Sequence, residues 1–218
     1  MASPTAYRDL VDALNRLKIV SALPGDESQL IEALLDFPGD TAFADRIFEI
    51  WCLFQLGESM LRLGGQSVIE PTLARPRSHP AMAFEVRGRV VELFFQRSLP
   101  VDLLRYRYET GSPLRGQPDT TIVRDDGRIL LFDAKNRVAT RDTRPEETFK
   151  MLGYFESLVP VVEGDAMLVF VGDSLRRTIS TERRTLELLA VSSEIERAAV
   201  FKQALDASLS AWLDDGFR

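Results

Sequence analysis

The chain has 218 residues, with 27 Lys+Arg against 33 Asp+Glu for a formal charge of −6, one histidine and one cysteine. That length holds one substantial core, and the apolar and charged fractions are those of an ordinary globular protein. A lone cysteine, Cys52, excludes an intramolecular disulfide and a cysteine-built zinc site, and a lone histidine, His79, flanked by Pro residues in a loop, removes His-based zinc hydrolases and His general bases elsewhere. Carboxylates, lysine and a hard cation with oxygen ligands remain for hydrolytic chemistry, which points to Mg²⁺ or Mn²⁺. No window has the long apolar run of a membrane span and no signal-peptide pattern opens the chain, so the expected location is the cytoplasm, with no membrane partner.

Residues 5 to 21 carry a helical stripe of Leu10, Val11, Leu14, Leu17 and Val20. Pro24-Gly25-Asp26 breaks it, and a second helix is expected to end near Phe37-Pro38-Gly39. Residues 1–40 thus read as a helical annex on a domain spanning 41–218. A third helix is expected from Thr41 to Gly64-Gly65, apolar nearly all round from Ile47 to Leu56 and therefore buried. Glu49 is the exception. Either it is a third acid reaching a cation or its water, or it pairs with Arg46 or a distant arginine, or it lies at the protein surface. Glu58 reads as solvated, and Cys52 as inert core.

Strands are expected next: Val68 to Leu73, Ala83 to Val86 and Val90 to Phe95, with a hairpin around Arg87-Gly88-Arg89. Leu103 to Tyr108 alternates with Arg105 and Arg107, the pattern of a half-exposed strand. It would be a plain sheet edge, or would line a nucleic-acid channel with guanidiniums and tyrosines.

The segment from Gly116 to Lys150 organises the rest. Gln117-Pro118-Asp119 and Phe132-Asp133-Ala134-Lys135 bracket two apolar runs separated by Asp125-Asp126-Gly127. Ile129 to Phe132 is unbroken, as in a strand covered on both faces. Side chains alternate in a strand, so Asp133 and Lys135 share a face while Ala134 points away. A three-residue loop at Asp125-Asp126-Gly127 brings Asp119 opposite Asp133; a two-residue loop pairs Asp119 with Ala134 and turns the acid away. A shared metal site requires the longer loop. Two acids at cross-strand distance raise each other's pKa unless a cation lies between them, and a lysine beside them suits phosphodiester chemistry. The bland alternative is a surface hairpin with a solvated Asp and Lys.

Asn136 to Arg144 reads as a polar loop, after which Pro145 opens a helix with Glu146 and Glu147 in its first turn. Lys150 and Tyr154 share one face of that helix. Ala166 to Val171 is a buried strand; Arg176-Arg177 and Arg183-Arg184 flank a turn-rich segment; Thr185 to Val191 is strand or short helix. Ser193-x-x-Glu196 resembles a capping box before a last helix ending near Trp212. From Arg75 to Lys150 there are 15 basic and 11 acidic residues, against 12 and 22 elsewhere, so the third of the chain with the acid-lysine motif is locally basic.

Pro118-Asp119 with Asp133-Ala134-Lys135 resembles the signature of the PD-(D/E)XK nucleases, with Asp in place of the usual Glu. Phe48-Glu49-Ile50-Trp51-Cys52 looks like the helix motif of McrC-like restriction nucleases, and Phe132 to Arg137 followed by Lys150-Met151 and Tyr154 is similar to the end of that domain. The resemblance covers Ala42 to Val171, and the chain departs from it at Lys150, where related enzymes often carry Gln. It implies an α/β fold, a central mixed β-sheet flanked by helices like the restriction-endonuclease core. It also implies that Asp119, Asp133 and the Ala134 carbonyl hold one or two Mg²⁺ ions with Glu49 at the metal edge. Lys135 would orient or deprotonate the attacking water or stabilise the transition state, and Lys150 and Tyr154 would touch the scissile phosphate or brace the ligands. Arg137, Arg105 and Arg107 complete the expected nucleic-acid contacts.

The function expected is a Mg²⁺-dependent endonuclease acting on DNA, with RNA open, in restriction or anti-phage defence. No GxxxxGK[ST] motif is present, so nucleotide-driven movement would belong to a partner ATPase or helicase. A homodimer cutting both strands is one open arrangement. The alternatives are a catalytically silent nuclease-like subunit that binds nucleic acid or scaffolds a defence or repair complex, and an α/β protein acting on another phosphate ester.

Overall fold

The computed structural model describes residues 41–73, 75–138, 145–158, 164–172, 176–180, 185–191 and 195–214. The expected helices of the 1–40 annex lie outside the described residues, as do Arg141 to Arg144, Arg183-Arg184 and Ser193.

Helix α1 (Thr41–Arg62) is followed by β1 (Gln66–Ile69), β2 (Met82–Val86), β3 (Arg89–Phe95), a single 3₁₀ turn (Val101–Leu103), β4 (Thr120–Arg124) and β5 (Ile129–Val138). Helix α2 (Pro145–Ser157), β6 (Gly164–Val171), β7 (Arg176–Ser180), β8 (Thr185–Val191) and helix α3 (Ile195–Asp214) complete the described chain. The eight strands form one mixed sheet in the order β1-β2-β3-β4-β5-β6-β8-β7. The first five run as an antiparallel meander, β5, β6 and β8 are parallel, and β7 returns antiparallel at the edge. The chain is therefore an α/β protein with a mixed sheet, as the resemblance implied.

Alternation along each strand divides the core into two layers. Leu130, Phe132 and Ala134 of β5 pack with Leu53, Leu56 and Met60 of α1 and Leu205, Leu209 and Trp212 of α3. Ile129 and Leu131 face the other way, with Met151 and Phe155 of α2 and Leu168 and Phe170 of β6. Coverage on both sides is why 129–132 has no polar residue. Parallel pairing of β5 with β6 needs a crossover, and α2 supplies it across the second layer.

Five sequence expectations need correction. Asn136 to Val138, expected to open a polar loop, instead extend strand β5, where Val138 pairs with Val171 of β6. Val68 to Leu73 is not one strand: β1 stops at Ile69, and Val68 is largely exposed on this edge strand. Leu103 to Tyr108 is not a strand of the sheet. It starts in the 3₁₀ turn and makes only the isolated bridges Leu104–Leu158 and Arg107–Pro113, because no sheet edge lies beside it. The segment after Arg176-Arg177, expected to be turn-rich, runs on to Ser180 as strand β7, paired along β8. Glu58 is mostly buried where α1 meets α3, paired with Arg62 at 3.3 Å and Lys202 at 3.5 Å. Thr185 to Val191, left between strand and helix, is the fully buried strand β8. Cys52 is buried, and burial holds its thiol well above the usual range.

Candidate functional site

The β4–β5 hairpin has the longer loop. Arg124 N–H donates to the Arg128 carbonyl at 2.9 Å, Gly127 N–H donates to the Arg124 carbonyl at 2.8 Å, and Gly127 takes φ 87°, a left-handed conformation open to glycine at little cost. Pairing then runs from Val123–Ile129 to Thr120–Phe132, so the next residues, Asp119 and Asp133, stand opposite each other. There the ladder stops. β5 continues to Val138 against β6 alone, while Asp119 turns its carbonyl to the Gln96 N–H at the end of β3 (2.8 Å). The sheet forks between Asp119 and β5.

The fork exposes strand groups that β4 no longer satisfies. The Ala134 N–H, which would have met β4, donates instead to Asp119 Oδ2 at 2.7 Å. In a strand the N–H and C=O of one residue point to the same side, so the Ala134 carbonyl also faces the fork, 3.4 Å from the Lys135 ammonium. Asp133, whose side chain has no solvent exposure, touches Lys135 Nζ, and its other oxygen lies 3.7 Å from Lys150 Nζ. Apart from these ammonium contacts, neither oxygen of Asp133 accepts a hydrogen bond. Lys135 Nζ is also 3.8 Å from Asp119 and 3.9 Å from Glu147.

Electrostatics follow from this crowding. Burial, then the neighbouring Asp133, push the Asp119 carboxyl up to about 8, against the opposing pull of Lys135. Tyr154 is pushed up to about 12 by burial and by Asp133. Its hydroxyl therefore stays protonated at neutral pH, donating at 3.4 Å to the Gln117 carbonyl, and its ring lies 5.5 Å from Lys150 Nζ. A Cβ on Gly116 would sit 2.6 Å from that ring, so glycine here lets the approach to Asp119 lie flat on Tyr154.

Glu49 occupies the other layer. α1 lies across the sheet from α2, and Glu49 meets the fork from that side, accepting from Gln96 Nε2 at 2.8 Å and Arg46 Nη1 at 3.0 Å. Burial raises its carboxyl above the usual range, Arg46 opposes this most, and the charges of Lys135 and Asp133 are felt as well. Among the described residues no ion pair or hydrogen bond joins Glu49 to Asp119 or Asp133, and no group of three His, Cys, Asp or Glu side chains is close enough to hold a metal ion. The acids assemble as a pair with a backbone carbonyl, and Glu49 belongs to a ring behind them.

Arg137, nearly half exposed, pairs with Glu147 at 3.3 Å. Arg105 and Arg107 are exposed on an arm outside the fork, Arg105 with its guanidinium 5.3 Å from the Tyr106 ring and Arg107 donating to the Gly111 carbonyl at 3.4 Å. Two participants escaped sequence reasoning. Glu147 reads from its position as a helix-dipole residue, but it bridges Lys135 and Arg137. Gln96 has no motif around it, yet it sits at φ 47°, a left-handed conformation unusual for a non-glycine, and links Glu49 to Asp119.

Two carboxylates, a carbonyl and adjoining ammonium groups suit Mg²⁺, which keeps several waters and takes one or two carboxylates rather than a full protein cage. The buried oxygens of Asp133, which have only ammonium groups as partners, are the feature that fits a cation best.

No protein-family model matches the chain, and no curated protein matches it. Among solved structures it is similar to a chain of the Thermococcus gammatolerans assembly of McrB AAA+ hexamers with bound McrC, at 14% identity and a TM-score of 0.39. That match covers 76% of this chain and 32% of the other, so the present chain spans about a third of that neighbour's length. Among the described residues, no helix is long and apolar enough to cross a membrane.

Proposed function

We propose that the fork is the active site of a divalent-cation-dependent nuclease that hydrolyses phosphodiester bonds, with DNA as its substrate. The observation that carries this is Asp133, a carboxylate with no solvent exposure whose partners are two lysine ammonium groups and no neutral donor, facing a second buried acid. Taking such a carboxylate out of water costs several kcal/mol, which the two ammonium contacts offset only in part.

In this proposal Asp119, Asp133 and the Ala134 carbonyl hold Mg²⁺ or Mn²⁺. The ion would supply a lowered pKa for a bound water and a counter-charge for the phosphoryl oxygens. Lys135, held among Asp119, Asp133 and Glu147, orients the water or meets the charge that grows in the transition state. Lys150, 43% exposed along its side chain, is the ammonium an incoming phosphate reaches first. Tyr154 contributes a hydroxyl that remains a donor. Glu49, through Gln96 and Arg46, braces the far side of Asp119. The sequence likeness of Phe48–Cys52 and Phe132–Arg137 to McrC-like nucleases supports work in restriction or anti-phage defence beside an ATPase or helicase subunit.

A second reading rests on the ion pairs themselves. Lys135 and Lys150 neutralise Asp133, as they would in a silent subunit that only binds nucleic acid or scaffolds a complex. Calorimetric titration with Mn²⁺ and cleavage assays on labelled DNA and RNA separate the two. The nuclease proposal expects cation binding and cutting by wild type, both abolished by Asp119→Ala and Asp133→Ala, with Lys135→Ala losing cleavage but keeping cation binding. Cation binding absent from wild type, with no cutting of any substrate, overturns it in favour of the silent subunit.

A further inference from the structure

Between the 3₁₀ turn and Asp119 the chain leaves the sheet as a short arm, residues 104–116. Its strands are tied by Leu114 N–H to the Tyr106 carbonyl (2.9 Å) and Tyr108 N–H to the Ser112 carbonyl (2.8 Å). The base of the arm is fixed: Arg105 N–H donates to the Ser157 carbonyl at the end of α2 (2.7 Å), Leu104 bridges Leu158, and Gly116 packs on Tyr154. Three residues beyond Gly116 the chain enters the fork at Asp119, so the arm is continuous with the proposed site.

Tyr106 and Tyr108 are 41% and 58% exposed and Leu114 is 43% exposed, while Arg105, Arg107 and Arg115 are exposed among them and Glu109 is the arm's only acid. Three of the four tyrosines of the chain lie on this arm or on Tyr154 at its base. Tyr106 and Tyr108 flank the Arg107–Pro113 bridge, and residues two apart in an extended segment fall on one side, roughly 6–7 Å apart. The Arg105 guanidinium lies 5.3 Å from the Tyr106 ring, where a base would stack in its place. Arg105 and Arg107 alternate with them. Exposed rings at that spacing, interleaved with guanidiniums, match an extended polynucleotide whose bases are free to stack and whose phosphates follow. A duplex keeps its base faces stacked internally and offers the rings nothing along its grooves.

We propose that the arm binds single-stranded nucleic acid, Tyr106 and Tyr108 stacking on successive unpaired bases and Arg105 and Arg107 meeting the phosphates, and so delivers an unpaired strand to the fork. The delivery step rests on the nuclease proposal; the binding step does not. The guanidiniums favour this occupant over a protein partner, because one acid and three arginines complement a phosphate chain.

The test measures binding by fluorescence anisotropy in EDTA, with a labelled 20-nucleotide oligo(dT) and a 20-base-pair duplex as probes. Wild type is expected to bind the single strand at least about tenfold more tightly than the duplex. Tyr106→Ala with Tyr108→Ala should weaken single-strand binding by about tenfold to a hundredfold, and Tyr→Phe at both positions should restore it to within about threefold, since stacking needs the ring and not the hydroxyl. Circular dichroism of each variant guards against loss of folding, which the exposure of both rings makes unexpected. Equal or tighter duplex binding, or an unchanged affinity in the double Ala variant, overturns the proposal. A change in sedimentation behaviour without loss of oligo(dT) binding also overturns it, marking the arm as a protein contact. Oligo(dT) binding through the arm, with wild type neither binding Mn²⁺ nor cutting any substrate when EDTA is replaced by the cation, would sink the nuclease proposal and leave this one standing; duplex cleavage that ignores the arm variants does the reverse.

Discussion

Asp119 is a site residue whose protonation the fold controls. Its carboxyl stands at about 8 because burial and Asp133 oppose its charge more than Lys135 supports it. Between the ordinary value of 3.8 and about 8 the folded chain holds a proton that the unfolded chain has lost, so this residue makes stability fall as pH rises, and the loss is complete once pH passes about 8. Asp119→Asn carries no such proton. From pH 5 to pH 9 in EDTA, wild type is therefore expected to lose roughly 2–4 kcal/mol more unfolding free energy than Asp119→Asn, about 1.4 kcal/mol per pH unit over part of that span. Urea unfolding at the two pH values checks it, and a difference between the proteins that does not change with pH would contradict the assigned protonation. Gln96 acts at the same scale: its left-handed backbone lets one residue meet Asp119 through its N–H and Glu49 through its amide. Nothing local in the sequence distinguishes it.

Among the elements, the β4–β5 hairpin brings the two acids together and α3 holds it in place. Arg124, 6% exposed, donates to the carbonyls of Trp212 and Leu213 at 3.1 and 2.8 Å, placing a positive charge at the C-terminal end of α3, and grips Asp126 through Nε at 2.9 and 3.0 Å. Arg124→Ala should destabilise the protein by about 2–3 kcal/mol in denaturant unfolding, and Arg124→Lys should recover less than half of that, because an ammonium cannot span carbonyls and carboxylate together. The guanidinium bond holds the Asp126 carboxyl down at about 2, so its contribution is present above the ordinary 3.8 and is lost as pH falls through about 2. Asp126 is about a third exposed, and solvent screening reduces that contribution to about 1 kcal/mol. Acid titration of stability between pH 4 and 2 should be correspondingly flatter in Arg124→Ala. This hairpin was legible in advance because its pairing is local: loop length fixes register, and register fixes which residues face each other. The arm was misread for the converse reason. Leu103 to Tyr108 alternates as a half-buried strand does, but alternation cannot report that no sheet edge lies beside it. Glu147 and Glu58 likewise acquire their partners from β5 and α3, through contacts that spacing within one helix does not encode.

For the whole molecule, the net charge of −6 and the proposed binding of a polyanion are reconciled by where the charges lie. Folding gathers Lys150 and Arg137 at the fork and Arg105 and Arg107 on the arm, all with exposed side chains. The strand order places β7 three strands away from β5, roughly 14 Å across the sheet at the usual strand spacing. Arg177, exposed on β7, is therefore basic surface outside the proposed path. Long-range repulsion from the acidic remainder is largely screened at ordinary salt, whereas close phosphate contacts still release counter-ions. If the four fork and arm cations each meet one phosphate, the logarithm of the affinity for oligo(dT) should fall with the logarithm of salt concentration with a slope of about −3, at about −0.7 per contact for a single strand. Arg105→Ala and Arg107→Ala should each reduce that slope by about 0.7 and weaken binding similarly on every sequence tested, while Arg177→Ala leaves both slope and affinity unchanged. Anisotropy titrations from about 50 to 300 mM salt measure this. A slope near zero, or one as sensitive to Arg177 as to Arg105, would mean that the basic residues near the fork do not act as the phosphate-contacting surface.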